Sequence, residues 1–392
     1  MKIFLKKNED RRLNIGHQWI FSNEIERIEG NIANGDVVEV IDSRGKPLGK
    51  GFYNKNSLIA YRHLTDSNET IDKDFFIKRI RNADNLRVKV NPSRTAYRMV
   101  NSESDFLPGL IIDKFDDKFS VQTFSYGIDR FLSDIKDILV NEFNASLIIE
   151  KNDNELRVLE GLQKQENILF NLSESDDTSF DINIYDVKYK IDLLKGQKTG
   201  FYLDQVENHL ELRKYVNNES KVLDLFCNEG GFALNAAFAG AKEIVAVDSS
   251  QQSIDMGIQN ADINGFKNIA FICKDVFKYL DSSESAKNIF DAVILDPPSF
   301  TKSKKNVNSA IEGYIELNSK AMRLLKRDSI LFTFSCSHHI DEKAFETIIT
   351  KSAQKAKRRV QVIDFKNCSY DHPILPQMPE TKYLKSYLLR VL

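Results

Sequence analysis

From about residue 186 onward, short apolar runs alternate with helix-length stretches, and this alternation leaves the chain few folds to adopt. Residues 221–226, 243–248, 268–273, 290–295 and 329–334 each read as a strand apolar on both faces. Such strands belong in the middle of a parallel sheet, covered by helices on either side. Residues 232–239, rich in alanine, and 253–264 read as two of those helices. The pattern predicts an α/β, doubly wound, mostly parallel sheet. In such sheets the carboxyl ends of neighbouring strands meet at the ligand crevice, so the residues closing each run carry the functional information.

Three runs close on or beside an acid. Asp224 lies within the first, ahead of a turn Phe226-Cys227-Asn228-Glu229-Gly230-Gly231; Asp248 ends the second; Asp275 follows the third, just before Val276. Gly230-Gly231 lets a ligand approach the backbone, but the turn lacks the G-x-G-x-x-G pattern that suits a dinucleotide pyrophosphate. Asp248 offers two acceptors to two ribose hydroxyls. Asp275 is placed to accept from an adenine amino group, and Asp224 to neutralise an ammonium or sulfonium. The ligand implied is S-adenosylmethionine. The last two runs end in Asp296-Pro297-Pro298 and Ser335-Cys336-Ser337, an acid and a thiol at strand ends where packing requires neither.

The remainder reads as two further segments. Residues 1–70 carry short β signals, such as the alternation over 36–41, punctuated by Gly30, Gly35, Gly45, Gly49 and Gly51; a small β-barrel is expected. Residues 72–185 read as a compact α+β module: a helix over 74–86, a hairpin of 110–113 and 119–123 around Asp116-Asp117, a helix over 127–143 and a strand over 146–150. Domain boundaries are therefore expected near 70 and 185. Lys78, Arg79, Arg81, Arg87, Lys89, Arg94 and Arg98 stand against a single acid, Asp84. Such a run is either a solvated face or a phosphate-binding strip.

With a net charge of −2, the chain is not a bulk polycation, so nucleic-acid binding has to come from local basic patches. No apolar run approaches the roughly 18 residues of a membrane span, and the three apolar residues near the N-terminus are too few for a signal peptide. The 4 cysteines (Cys227, Cys273, Cys336, Cys368) include no C-x-x-C pair, and His338-His339 has no partner at ligand spacing. Neither a metal site nor a disulfide framework is expected, and a cytoplasmic protein is.

Several segments together resemble one family. They are residues 194–205 (Leu-Lys-Gly-Gln-Lys-Thr-Gly-Phe-Tyr-Leu-Asp-Gln), 224–232, Leu295-Asp296-Pro297-Pro298-Ser299-Phe300 and Ser335-Cys336-Ser337. They are similar to the RlmI family, class I S-adenosylmethionine-dependent 23S rRNA cytosine-5 methyltransferases. Residues 16–25 and 49–54 resemble that family's RNA-binding PUA domain, and 103–110 its central domain, so the likeness covers essentially the whole chain. The resemblance implies a Rossmann-like class I methyltransferase domain with a seven-stranded sheet over 186–392, a PUA-type barrel over 1–70 and a central α+β domain over 72–185.

It implies Gln197, Thr199, Phe201, Asp204, Phe226, Cys227, Gly230 and Val276 beside Asp224, Asp248, Asp275 and Asp296 at the cofactor. For the RNA it implies Lys198, Pro297 and Pro298; Lys302, Lys304 and Lys305, just after Asp-Pro-Pro, read as a mobile basic loop placed to grip flanking phosphates, and Arg79, Arg81 and Arg94 come from the basic run. The partner implied is 23S rRNA; a homodimer is left open. The chain departs from the family at Val206 and His209, where arginines are usual, and at Asn228-Glu229, where Tyr-Thr is commoner.

Carbon 5 of cytosine is a poor nucleophile until a thiolate adds at carbon 6. Cys336 is the expected nucleophile. Asp296 is the expected partner of the ring nitrogen and amino edge, stabilising the adduct as charge develops. The other three cysteines are expected to be structural. Two other readings stand beside this one: methylation of a guanine or adenine nitrogen, which Asp-Pro-Pro-Ser-Phe also fits and which needs no cysteine, and an RNA-binding assembly factor with a vestigial cofactor site.

Overall fold

The computed structural model describes residues 1–392 except 174–175, 197, 283–287 and 302–303 and the side chain of Lys304. Contacts divide the chain into two units. The first comprises Met1–Ile182, Ile191–Leu203 and Tyr370–Thr381; the second comprises Asn183–Lys190, Asp204–Ser369 and Lys382–Leu392.

Among the described residues, two sheets lie wholly within the first unit. Six strands, in spatial order Trp19–Ile20, Tyr61–Thr65, Pro47–Tyr53, Val37–Ile41, Lys2–Leu5 and Ile25–Glu29, surround a core of Ile3, Leu5, Ile20, Val38, Val40, Tyr53 and Tyr61. Gly51 is required where two strands close up: a Cβ there would lie 2.1 Å from the Arg62 carbonyl oxygen. The second sheet has five strands, in order Gln165–Asn171, Leu147–Asn152, Lys118–Thr123, Leu110–Phe115 and Ala96–Asn101. The hairpin and the following strand stand where the sequence put them. The outer strands Ala96–Asn101 and Gln165–Asn171 escaped it because neither alternates cleanly. The helix expected over 127–143 is interrupted, running Tyr126–Asp129 and then Leu132–Phe143.

Helix Lys73–Val90 starts where the Asp72 carboxylate accepts from the Phe75 amide at 3.1 Å. Its buried face, Phe76, Ile80 and Ala83, continues into Arg87, which is fully buried. Arg87 forks onto the Asp105 carboxylate at 2.6 and 2.7 Å. Arg94 pairs with Asp371 at 3.1 Å, and Arg98 with Asp113 at 2.8 Å. The basic run is therefore no single solvated strip: three of its arginines hold the fold from inside. Arg94 in particular is buried and turned to a carboxylate, so it is not presented to RNA phosphates.

The second unit is built on seven strands: β1 (Lys221–Leu225), β2 (Glu243–Asp248), β3 (Ile269–Cys273), β4 (Phe290–Leu295), β5 (Leu325–Ser335), β6 (Val360–Lys366) and β7 (Lys385–Val391). Their order is β3-β2-β1-β4-β5-β7-β6. The first five are mutually parallel, while β7 runs antiparallel to both β5 and β6. Helix α1 (Val206–Arg213) precedes β1, and α2 (Gly231–Phe238), α3 (Gln251–Ile263), α4 (Val276–Ser282), α5 (Val307–Leu324) and α6 (Glu342–Ala356) lie between successive strands in the chain. Two apolar clusters form the core. One gathers Leu223, Leu225, Val293 and Leu295 with Tyr314 and Phe345; the other gathers Val222, Ile244, Ala292 and Ile294 with Phe232 and Ala236. Alternate residues of each strand thus feed opposite clusters, as the pleat requires. The strand order reverses between β1 and β4, the switch point at which an open α/β sheet binds ligands. Among the described residues, no helix is long and apolar enough to cross a membrane.

Candidate active site

The turn after β1 is tightly held in an uncommon conformation. Phe226, Asn228 and Gly230 take φ values of +63°, +48° and +84°. A bulky residue there costs ~1–3 kcal/mol, and such strain tends to mark functional turns. Three hydrogen bonds hold it: Cys227 N–H to the Val247 carbonyl at 3.1 Å, Gly230 N–H to the Cys227 carbonyl at 2.8 Å, and Asn228 N–H to Asp248 Oδ2 at 3.0 Å. The other Asp248 oxygen accepts from Ser250 N–H at 2.9 Å. The strand-end acid therefore positions the turn itself, and each of its oxygens retains a lone pair for a hydroxyl donor.

Asp224 is wholly buried beneath this turn. Its Oδ2 accepts from Ala233 N–H in the first turn of α2 at 3.0 Å, while Oδ1 is buried with no hydrogen-bond partner among the described residues. Burial first, then the nearby Asp296 and Asp248 carboxylates, push its pKa up to about 8 against the single Ala233 bond. A buried carboxylate with an unmatched oxygen fits a cationic ligand group. Glu229, which replaces a neutral residue of the usual pattern, is likewise raised by burial to about 7. Asp275 is exposed and accepts from Lys278 N–H at 3.0 Å, capping α4, whose first residue Val276 is core.

The ends of β4 and β5 lie side by side, with Leu295 opposite Thr333. Half-buried Cys336 approaches the Pro297 carbonyl oxygen, Sγ at 3.8 Å, so the thiol sits beside the Asp296-Pro297-Pro298 turn. The flanking serines are fully buried. Ser335 Oγ donates to the Tyr314 hydroxyl at 3.2 Å, and Ser337 Oγ lies 3.1 Å from both Tyr314 Oη and Ser299 Oγ. This hydroxyl cluster anchors the loop on either side of Cys336. Burial raises Tyr314 to about 12, so it stays a neutral phenol. Asp296 Oδ2 accepts from Gln205 Nε2 at 2.8 Å, and Gln205 Oε1 accepts from Asn208 Nδ2 at 2.6 Å. The buried Gln205 and Asn208 were not picked out as site residues. The Asp204-Gln205 pair stood in the recognised motif, but nothing in the sequence tied it to residue 296.

Other expected residues have structural partners too. Asp204 Oδ2 accepts from the Tyr383 hydroxyl at 2.6 Å. In the first unit, the Thr199 hydroxyl donates to Asp113, Phe201 is buried, and Lys198 lies over the Tyr202 ring at 3.9 Å. Cys227 is buried and its thiol pushed well up, as a structural cysteine would be. Pro297 is buried and Pro298 exposed. Gln197 and Lys302 lie outside the described residues, as does the side chain of Lys304. Among the described residues, no group of three His, Cys, Asp or Glu forms a metal cluster.

Two family models match the chain: a PUA-like domain over residues 3–66 and a methyltransferase domain over residues 217–381. Ribosomal RNA large subunit methyltransferase I of Aliivibrio fischeri is 38% identical, with 100% of this chain and 99% of that protein aligned. Its Aeromonas hydrophila counterpart is 37% identical over 99% of this chain and 98% of its own. The chain belongs to the ribosomal RNA large subunit methyltransferase I family. Among solved structures, a protein assigned as a methyltransferase and complexed with SAH superposes with a TM-score of 0.85, 21% identical over the full length of both chains. An assigned SAM-dependent methyltransferase from Streptococcus mutans reaches 0.83 at 21% identity. At that identity the likeness is one of fold, and it spans the whole chain.

Proposed function

We propose that this protein methylates carbon 5 of a cytosine in 23S rRNA, with S-adenosylmethionine as methyl donor and Cys336 as covalent nucleophile. The observation that carries the reading is the placement of the Cys336 thiol against the Asp296-Pro297-Pro298 turn, 3.8 Å from the Pro297 carbonyl oxygen. The cofactor, when bound, supplies a sulfonium-activated methyl group. For it, Asp224 offers a buried carboxylate to a positive charge, Asp248 two oxygens to ribose hydroxyls, and Gly230 a backbone without a Cβ at the turn.

The target base leaves its stack to enter the site. Cys336 thiolate adds to carbon 6, and the electron pair of the carbon 5–carbon 6 double bond moves onto carbon 5, which takes the methyl group. A base, here water, takes the carbon 5 proton; the C–H pair re-forms the carbon 5–carbon 6 double bond as the Sγ–carbon 6 bond breaks, restoring the aromatic ring and the thiolate. Asp296, its carboxylate oriented by Gln205, hydrogen-bonds the ring nitrogen and amino edge where charge develops. Lys198, Pro297, Pro298, Lys302, Lys304, Arg79 and Arg81 are assigned to the RNA, with the PUA-like segment adding affinity. The relatives named for large-subunit rRNA support this substrate, and a cytoplasmic setting follows from it.

The test is a trap. An rRNA fragment carrying 5-fluorocytidine cannot lose a proton from carbon 5, so a covalent pathway stalls as a denaturation-resistant protein–RNA adduct. The proposal expects such an adduct with wild type and none with Cys336→Ala. No adduct with wild type, alongside methylated product from ordinary RNA, overturns the covalent route.

A further inference from the structure

One buried ionisable group has no part in the chemistry described so far. Lys385 lies on β7 directly opposite Ser335, and only 4% of its surface is exposed. Burying an ammonium costs several kcal/mol unless a counter-charge offsets it. Its Nζ donates to the Ser337 carbonyl oxygen at 2.8 Å, and among the described residues no carboxylate is within ion-pair distance of it. Ser335 and Ser337 bracket Cys336, so the lysine is anchored on both sides of the thiol. The ionisable groups that face it are Cys336 first, then Glu342 and Asp341 at the start of α6, and Cys368. Asp341 is engaged in capping α6 through Ala344 N–H at 2.8 Å, and Glu342 pairs with Lys382. Cys336, next in the chain to the Ser337 carbonyl that holds the lysine, is the remaining group beside it that can carry a negative charge.

We infer that Lys385, as an ammonium anchored on the Ser337 carbonyl next to Cys336, favours the thiolate form of Cys336 and so readies it for attack. The step balances with solvent: the Sγ–H bond breaks, its electrons stay on sulfur, the proton passes to water, and the Lys385 ammonium stays protonated throughout. Burial lowers the lysine to about 8, which still leaves it mostly an ammonium at neutral pH, and a neighbouring thiolate offsets the cost of burying it. The inference rests on the covalent reading of Cys336. It is testable without RNA or cofactor, so its failure is distinct from failure of that reading.

The experiment is alkylation of the free protein by iodoacetamide across pH 6–10, with each cysteine followed by peptide mass spectrometry. Exposed Cys273 is the internal reference. Wild-type Cys336 is expected to react with a midpoint below that of Cys273. Lys385→Met, and Lys385→Gln, which keeps a donor for the Ser337 carbonyl, are each expected to raise that midpoint by at least about one pH unit, ~10-fold in rate at pH 7. Lys385→Arg, which keeps the cation, should keep most of the lowering. A wild-type midpoint at or above that of Cys273 overturns the inference whatever the variants do. So does a Gln variant that titrates like wild type, because the lysine would then serve only as a hydrogen-bond donor.

Discussion

Asp224→Asn tests the electrostatics of the cofactor end. Folding raises this carboxyl from its ordinary 3.8 to about 8. A carboxyl raised on folding favours the fold below its unfolded pKa, and that contribution is lost as pH climbs through the folded value. By pH 8 the shift of about four units corresponds to ~5 kcal/mol, which local relaxation and water entry reduce to ~2–4 kcal/mol. Asparagine carries no such penalty. Its oxygen still accepts from Ala233 N–H, but its amide donors face the partnerless Oδ1 position at a cost of ~1–3 kcal/mol. The variant should therefore be less stable than wild type at pH 5 and equal or more stable at pH 8. Urea denaturation of the ligand-free protein at the two pH values reads the difference. Cofactor affinity, by calorimetry, should fall at least ~10-fold at pH 8 through loss of the counter-charge. An Asn variant equally destabilised at pH 5 and pH 8 would refute the buried-carboxyl argument.

Other substitutions separate positioning from structure. Gln205→Leu removes the donor to Asp296 and should lower kcat by ~10–100-fold with little change in RNA binding, measured by single-turnover methylation. Tyr314→Phe disconnects Ser335 from Ser337 and should cost ~1–2 kcal/mol of stability in denaturant titration. Arg94→Ala leaves Asp371 buried without its guanidinium and should destabilise by ~3–5 kcal/mol. Exposed Arg81, paired only at the surface with Glu142, should instead lose RNA affinity and salt dependence on change to Ala, with stability within about 0.5 kcal/mol.

The sheet of the second unit was legible because its strands are apolar on both faces and each is flanked by a helix-length stretch. Phe290–Leu295 and Glu243–Asp248 fall on the residues read from sequence. Strand ends carry chemistry visible by residue type, so Asp224, Asp248, Asp296 and Cys336 stood out. Side chains that act through partners distant in sequence did not. Gln205 reaches Asp296 across 91 positions, and Lys385 reaches Ser337 across 48. The basic run misled because charge alone does not tell a surface arginine from one buried against Asp105, Asp113 or Asp371. Strand Ala96–Asn101 was hidden by the same residues, since Arg98 interrupts its apolar pattern to meet Asp113.

The central claim is best tested by incubating the protein with S-adenosylmethionine and unmodified 23S rRNA, digesting the RNA to nucleosides and measuring them by mass spectrometry. A 5-methylcytidine peak that vanishes in Cys336→Ala is the result this account predicts. A methylated guanosine or adenosine, or 5-methylcytidine that persists in Cys336→Ala, would contradict it.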